Sequence, residues 1–237
     1  MRSATLILPA LLLSACGVAE STPSGPSGSR SFDLTGFDQV ELAGSDDVRI
    51  IAGPAFSVQA TGPEKILDRL KIEVKGSTLS VGRKSRSWSM GWNNDNGAIV
   101  TVTMPTIKGA SLAGSGDMAV DRVETSKFEA NLAGSGNLSI KSAQVDELEV
   151  NLAGSGDVTV AGATKTIDIS IAGSGDVTTK ELNATDARIS IAGSGNVDAR
   201  ATGSASVSLL GSGDVNISGT ANCKTSKMGS GEVRCTP

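Results

Sequence analysis

Apolar and polar residues alternate with a period of two along much of the chain. In Glu149-Val150-Asn151-Leu152 and Val158-Thr159-Val160, the residues Val150, Leu152, Val158 and Val160 point to one side, and Glu149, Asn151 and Thr159 to the other. That period belongs to half-buried strands, not to helices. Between the two runs stands Ala153-Gly154-Ser155-Gly156-Asp157. Glycine supplies the backbone conformations that a tight corner needs. The predicted unit is strand, glycine-rich corner, strand, and a looser second turn such as Ala161-Gly162-Ala163-Thr164-Lys165.

The unit recurs. The first glycines of the corners fall at 114, 134, 154, 173, 193, 211 and 229, in steps of 20, 20, 19, 20, 18 and 18 residues. An imperfect copy, Leu42-Ala43-Gly44-Ser45-Asp46-Asp47, precedes them. One copy cannot bury its apolar face, whereas stacked copies can, each coil hydrogen-bonded to the next. The expected fold is all-β: a parallel β-helix-like solenoid of about 18–20 residues per coil. At ~4.8 Å per strand spacing the repeats would stack to roughly 34 Å. A meander of hairpins is the rival arrangement. Antiparallel hairpins usually turn on two-residue Asn-Gly or Asp-Gly loops, but each corner here is a longer Gly-Ser-Gly followed by Asp, Asn or Glu.

Upstream, the pattern is less regular. Phe37-Asp38-Gln39-Val40-Glu41-Leu42 leads into Asp47-Val48-Arg49-Ile50, and Phe56 to Ala60 reads as another short strand. Pro63 to Asp68 allows one helical turn, with Pro at its start and an acid in its first turn. Strands at about 70–75 and 78–82 flank the turn Gly76-Ser77, and Ile99 to Met104 alternates again. These blocks, in this order before the Leu/Ile-Ala-Gly-Ser-Gly-Asp/Asn-Val repeats, resemble the head GIN domain family of auto-transporter adhesin domains over about residues 32 to 235. The resemblance implies a β-helical fold and little about activity, because a fold does not carry a function.

The N-terminus reads as a targeting signal. Arg2 precedes an apolar stretch from Leu6 to Leu13 that is too short to span a bilayer. Leu13-Ser14-Ala15-Cys16 resembles the bacterial lipobox, which makes Cys16 the lipidated first residue of the mature chain. Gly17, in place of Asp, implies by the same resemblance an outer-membrane destination, facing the periplasm or the outside. The expected organisation is a signal peptide over 1–15, a flexible Pro/Gly/Ser tether over 16–31, and one solenoid unit over 32–237. Cys223 and Cys235 remain, and an even pair in an oxidising compartment reads as a disulfide.

Composition narrows the chemistry. The chain has no His and no Tyr, and only 3% aromatics, so the core must be aliphatic, and the commonest general base and metal ligand are missing. A net charge of -4 argues against nucleic acid, which needs a concentrated basic surface. The serines of the corners, Ser115 to Ser230, have no imidazole to activate them. The column Asp117, Asn137, Asp157, Asp176, Asn196, Asp214 and Glu232 lacks the nine-residue spacing of calcium β-rolls. It reads as local backbone bonding, so no metal and no cofactor is expected. No helix or Walker lysine follows the glycines to hold phosphate.

Two further candidates stand out. Glu149, Asp168, Lys165 and Lys180 are the residues on which a polysaccharide-active enzyme would have to draw, although scattered charges are usually a solvated face. The polar segment from Arg83 to Gly97 holds both tryptophans, Trp88 and Trp92, beside Arg83, Lys84 and Arg86. It reads either as a cap over an end of the solenoid or as a binding loop that works by stacking and charge. The functional expectation is a non-catalytic envelope lipoprotein, an adhesin or binding scaffold. It would be held to the membrane by its lipid and would present a flat face to an envelope protein or a polysaccharide.

Overall fold

The computed structural model describes residues 27–84, 97–220 and 222–237. The expected solenoid is there. Strands β8 (Gly109–Gly114), β9 (Met118–Val120), β10 (Val123–Gly134), β11 (Leu138–Gly154), β12 (Val158–Gly173), β13 (Val177–Gly193), β14 (Val197–Gly211), β15 (Val215–Ser218), β16 (Cys223–Gly229) and β17 (Val233–Thr236) run in chain order. Neighbours pair in parallel, coil on coil, and not as hairpins. Register places Gly114, Gly134, Gly154, Gly173, Gly193, Gly211 and Gly229 in one column. The looser second turn is absorbed into long bent strands: β12 runs unbroken through Gly162, with a register shift beside it.

Each corner is held from the one before. The N–H groups of Ser135 and Gly136 both donate to the carbonyl of Gly114, at 2.9 and 3.2 Å. Gly134 sits at φ +138, a conformation that side chains disfavour. A Cβ on Gly136 would lie 1.9 Å from the carbonyl oxygen of Gly116. Coil stacking therefore dictates Gly-Ser-Gly, and only the middle residue faces water.

The alternation fills a single aliphatic core. Leu138, Ile140, Ala143, Leu148, Val150 and Leu152 of one coil are buried, as are their partners above and below. Phe128 and Phe37 are the largest buried side chains among the described residues.

The N-terminal end breaks chain order. Strands β2 (Gln39–Gly44) and β3 (Asp47–Ala52) form a coil that rests on β8 and β9. On their other side lie β6 (Thr78–Arg83) and β7 (Ile99–Met104), so a later segment becomes the outermost coil. Beyond it the pairing turns antiparallel: β5 (Leu70–Lys75) against β6, β4 (Ser57–Pro63) against β7, and β1 (Ser27–Phe32) against β4. The single turn α1 (Glu64–Leu67) follows Pro63, and its Ile66 and Leu67 are buried in the end of the core.

One boundary is corrected. Residues 27–31, expected within the tether, belong to β1. Phe32 packs on the core, and the Arg30 guanidinium reaches Glu64 (3.3 Å) and Asp68. That pairing edge is supplied by β4 and cannot be read from the Ser/Gly composition.

The C-terminal end is finished differently. Cys223 continues the inward column above Ala205, and Cys235 the one above Ile217. Their disulfide thus crosses the interior of the last coil. Thr225 and Lys227 replace Val207 and Leu209 in register and are exposed. The Lys227 ammonium donates to the carbonyl of Gly231 at 2.8 Å.

Candidate binding face

One long face is made by β2, β6, β8, the C-terminal halves of β10 to β14, and β16. Outward positions on successive strands form columns, because the pleat alternates and the register is kept from coil to coil. Nearest the corners, Ala43, Ala113, Ala133, Ala153, Ala172 and Ala192 are stacked and exposed. The next two rungs of that column are Leu210 and Met228, 55% and 72% exposed.

The middle column holds Ser111, Asn131, Asn151, Ser170 and Ser190. The Asn151 amide donates to the Asn131 carbonyl oxygen (3.1 Å), and the Asn131 amide to Ser111 Oγ (3.3 Å). The same two amides donate to Glu129 (3.0 Å) and Glu149 (3.1 Å) in the third column. An open groove of about 410 Å3 follows the first two columns from Glu41 to Ser190.

Charge on the third column is fixed by these contacts. The Asn151 amide and then the Lys127 ammonium hold the Glu149 carboxyl below its ordinary range. Glu149 in turn raises Lys127. Glu149 and Asp168 occupy adjacent rungs, and each carries an ion pair, to Lys127 (3.4 Å) and Arg188 (3.5 Å). Lys165 and Lys180 lie elsewhere, paired with Asp146 (2.7 Å) and Asp198 (3.0 Å). The four residues that an enzyme would need are not brought together.

The Asp/Asn column has a structural use. Asp117 Oδ1 accepts from the backbone N–H of Asn137 (3.0 Å) and from its amide (2.9 Å). Asp176 does the same for Asn196, and Asn196 accepts from the N–H of Asp214. Asp117, Asp157, Asp176, Asn196 and Asp214 thus bond the backbone of the following coil, one coil further than the local bonding expected.

Of the proposed binding loop, Arg83 and Lys84 are described. Arg83 is bound to Asp46, and Lys84 lies along Asp68 and Arg69. Arg86, Trp88 and Trp92 lie outside the described residues, as does Cys16. The alanine column is the feature that sequence reasoning passed over. Its signal in the sequence is the Ala that precedes Gly-Ser-Gly at 113, 133, 153, 172 and 192, where it looks like part of the corner motif.

A family model described as "putative auto-transporter adhesin, head GIN domain" matches residues 36–221. No curated protein matches the chain. A putative adhesin of Bacteroides fragilis superposes with a TM-score of 0.82 at 24% identity, over 91% of this chain and 99% of that one. A putative lipid binding protein of Parabacteroides distasonis gives 0.70 at 25% identity, over 91% and 98%. A putative adhesin of the same organism gives 0.68 at 20% identity, over 91% and 98%.

Proposed function

The chain belongs to the head GIN domain family, and from that premise we propose that it is a non-catalytic binding protein of the bacterial cell envelope. In this reading Cys16 carries the lipid, the residues after it form a short tether, and the solenoid presents its alanine and asparagine/serine face to a ligand. The observation that carries the reading is the continuous groove from Glu41 to Ser190. It crosses strand after strand in unbroken register, as an extended contact requires. Ser111, Asn131 and Asn151 are bonded to one another along the solenoid axis, and the polar groups of the groove are spread along it and do not converge on a point where a reacting atom would sit.

Two measurements test it. Cys16→Ser should move the protein out of the detergent phase and remove the mass of the lipid; unchanged partitioning sinks the anchor. Asn151→Arg with Ser190→Arg places bulk and charge on the groove without touching the core. Attachment of the purified protein to cell-envelope material should fall sharply while its melting temperature holds. Full attachment by the variant removes the face from the account.

A further inference from the structure

The end of the solenoid that β1 helps to close carries a charge opposite to that of its body. Beyond the outermost coil lie β1, α1 and β5. Around α1 and β5 the six cations Arg30, Lys65, Arg69, Lys71, Lys75 and Lys84 stand against the three anions Glu64, Asp68 and Glu73, an excess of three positive charges. Two pairs beside them cancel, Arg83 with Asp46 and Lys108 with Asp38. The whole chain carries -4, so everything outside those nine residues carries -7. Local pairing does not absorb the excess. Arg30 holds both Glu64 and Asp68, and Glu73 is shared by Lys71 (2.9 Å) and Lys75 (3.0 Å). All three carboxylates are thus engaged. Among the described residues Lys65 and Arg69 meet no carboxylate, and Lys84 meets only the carbonyl of Asp68. The far end differs: Lys227 is bonded to the Gly231 carbonyl and Arg234 to both oxygens of Glu232.

We infer that this end seats on an anionic phospholipid surface and stands the solenoid upright on it. The inference rests on the anchor at Cys16 proposed above and says which way the anchored domain faces. A second observation points to the same end. β1 is the first described element after Cys16, and its Arg30 ties it to α1. At no more than ~3.5 Å per residue, the eleven residues from Cys16 to Ser27 reach at most about 38 Å. This end therefore never leaves the neighbourhood of the bilayer, whereas the last coil stands roughly 40 Å further along the axis at ~4.8 Å per coil. A weak contact suffices, because the tether keeps the local concentration of the end high. Lysines and arginines near an anionic leaflet are drawn to it over about one Debye length. The body, with its negative excess, is repelled by the same leaflet, which opposes lying flat. The cations come from α1, from β5 and from beyond β6, and none is buried. That suits a flat array of headgroups more than the enclosed site of a single phosphate. The groove from Glu41 to Ser190 then runs away from the membrane.

The test uses the full chain as purified from expressing cells, with vesicles of phosphatidylcholine alone or of phosphatidylcholine mixed with phosphatidylglycerol. A dye on Ser77→Cys, an exposed turn position beside Lys75, reports contact by energy transfer to a headgroup-labelled lipid. Transfer should be strong on the mixed vesicles, weak on phosphatidylcholine, and should fall as salt shortens the Debye length. Lys65→Gln with Lys71→Gln and Lys75→Gln should lose most of it, and Glu73→Gln, which adds to the excess, should raise it. Lys141→Gln with Lys165→Gln and Lys180→Gln changes the net charge equally on the body and should leave it unchanged. Equal transfer on the two kinds of vesicle, or equal loss from the two triple variants, overturns the inference. So does displacement by inorganic phosphate where chloride of the same ionic strength has no effect, since that is a site for one phosphate group. If the first triple variant does not fold, Glu73→Gln decides. Flotation tests the anchor separately. A lipidated chain floats with both kinds of vesicle, and equal transfer then overturns the inference alone. A chain that floats only with the mixed kind supports the inference and removes the anchor, and one that floats with neither removes both.

Discussion

Arg83, at the end of β6, grips Asp46 in the corner between β2 and β3. Its Nε donates to Asp46 Oδ2 at 2.8 Å and its Nη2 to Oδ1 at 2.7 Å. The N–H of Ala98 adds a third bond, at 2.7 Å. Asp46 is wholly buried. It stands where the later corners carry their second glycine, and the reason is positional. In a regular corner that site faces the previous coil, and a Cβ on Gly116 would lie 1.8 Å from the carbonyl of Asp46 itself. Among the described residues Asp46 meets Arg83, Gly97 and Ala98 on its outer side, so a side chain fits there and is used to fasten β6 and β7 to the first coil.

Arg83→Ala should therefore be costly, because it takes from a buried carboxylate the guanidinium that is bonded to both its oxygens. A loss of about 3 kcal/mol in urea unfolding is expected. Asp46→Gly with Arg83→Gln removes both charges and restores the common motif, and should cost clearly less. Equal losses from the two variants would show that the ion pair is not what fastens this coil.

The two kinds of corner position should answer differently to the same small change. Gly136→Ala drives a methyl group into the carbonyl of Gly116 and should cost ~3 kcal/mol. Ser135→Ala alters an exposed side chain and should stay within about 0.5 kcal/mol. Thermal or urea unfolding of the two variants side by side decides it. A near-neutral Gly136→Ala would mean that the coils are not stacked as closely as described.

The repeats were legible because two periods coincide there. Alternation of two sets inside from outside, and a step of 18–20 residues sets which rung meets which. The turn at Gly76-Ser77 and the helical turn after Pro63 were legible for local reasons of the same kind. The order of the first coils was not. Residues 78–83 and 99–104 carry good alternation, but nothing in it says that they pair with β2 and β3 on the side away from β8 and β9. That choice depends on which edges are left open once the repeats have stacked. The strand at Ser27–Phe32 was hidden likewise, since it borrows its order from β4. The alanine column is written in the sequence but looks there like corner chemistry, because Ala precedes Gly-Ser-Gly at five corners; the stacking shows Leu210 and Met228 in the same column, so the corner does not need it.

Protonation of Glu149 should report on the amide ladder. Its carboxyl is held low first by the Asn151 amide and then by Lys127, so the charged form is the one that folding favours. The stability this contributes is present above the ordinary carboxylate range and is lost as pH falls through the lowered value. Glu149 is 39% exposed at its side chain, so water screens most of the gain, and the effect belongs in titration more than in melting. An NMR titration should find Glu149 below an ordinary glutamate, and Asn151→Ala should move it upward. A value untouched by that substitution would detach the carboxylate from the ladder.

Among the described residues the coil of β16 and β17 has a neighbour on one side only, and such coils fray. The disulfide between Cys223 and Cys235 closes this coil across its interior, where Thr225 and Lys227 have replaced the aliphatic pair that would otherwise hold it. Little apolar burial remains there, so the covalent link should carry most of the local stability. In the chain-entropy account a loop of this size is worth roughly 3 kcal/mol. Cys223→Ser with Cys235→Ser should therefore release β16 and β17 while the coils before them stay intact. Hydrogen exchange is the suitable measurement, because it resolves local opening from global unfolding. Amides of Cys223–Gly229 and Val233–Thr236 should lose protection, and those of β11 and β12 should keep theirs. Native protein with two titratable thiols, or a variant whose last coil stays fully protected, would contradict this account. The same end also has a strand edge that no described strand pairs, and Lys227 sets a charge beside it at a position that is inward in the preceding coil. Lys227→Leu with Thr225→Val should extend the apolar core to the open edge and promote end-to-end association, seen as a concentration-dependent rise in mass by sedimentation. A variant that stays monomeric at every concentration would show that the exposed edge is protected by something other than that lysine.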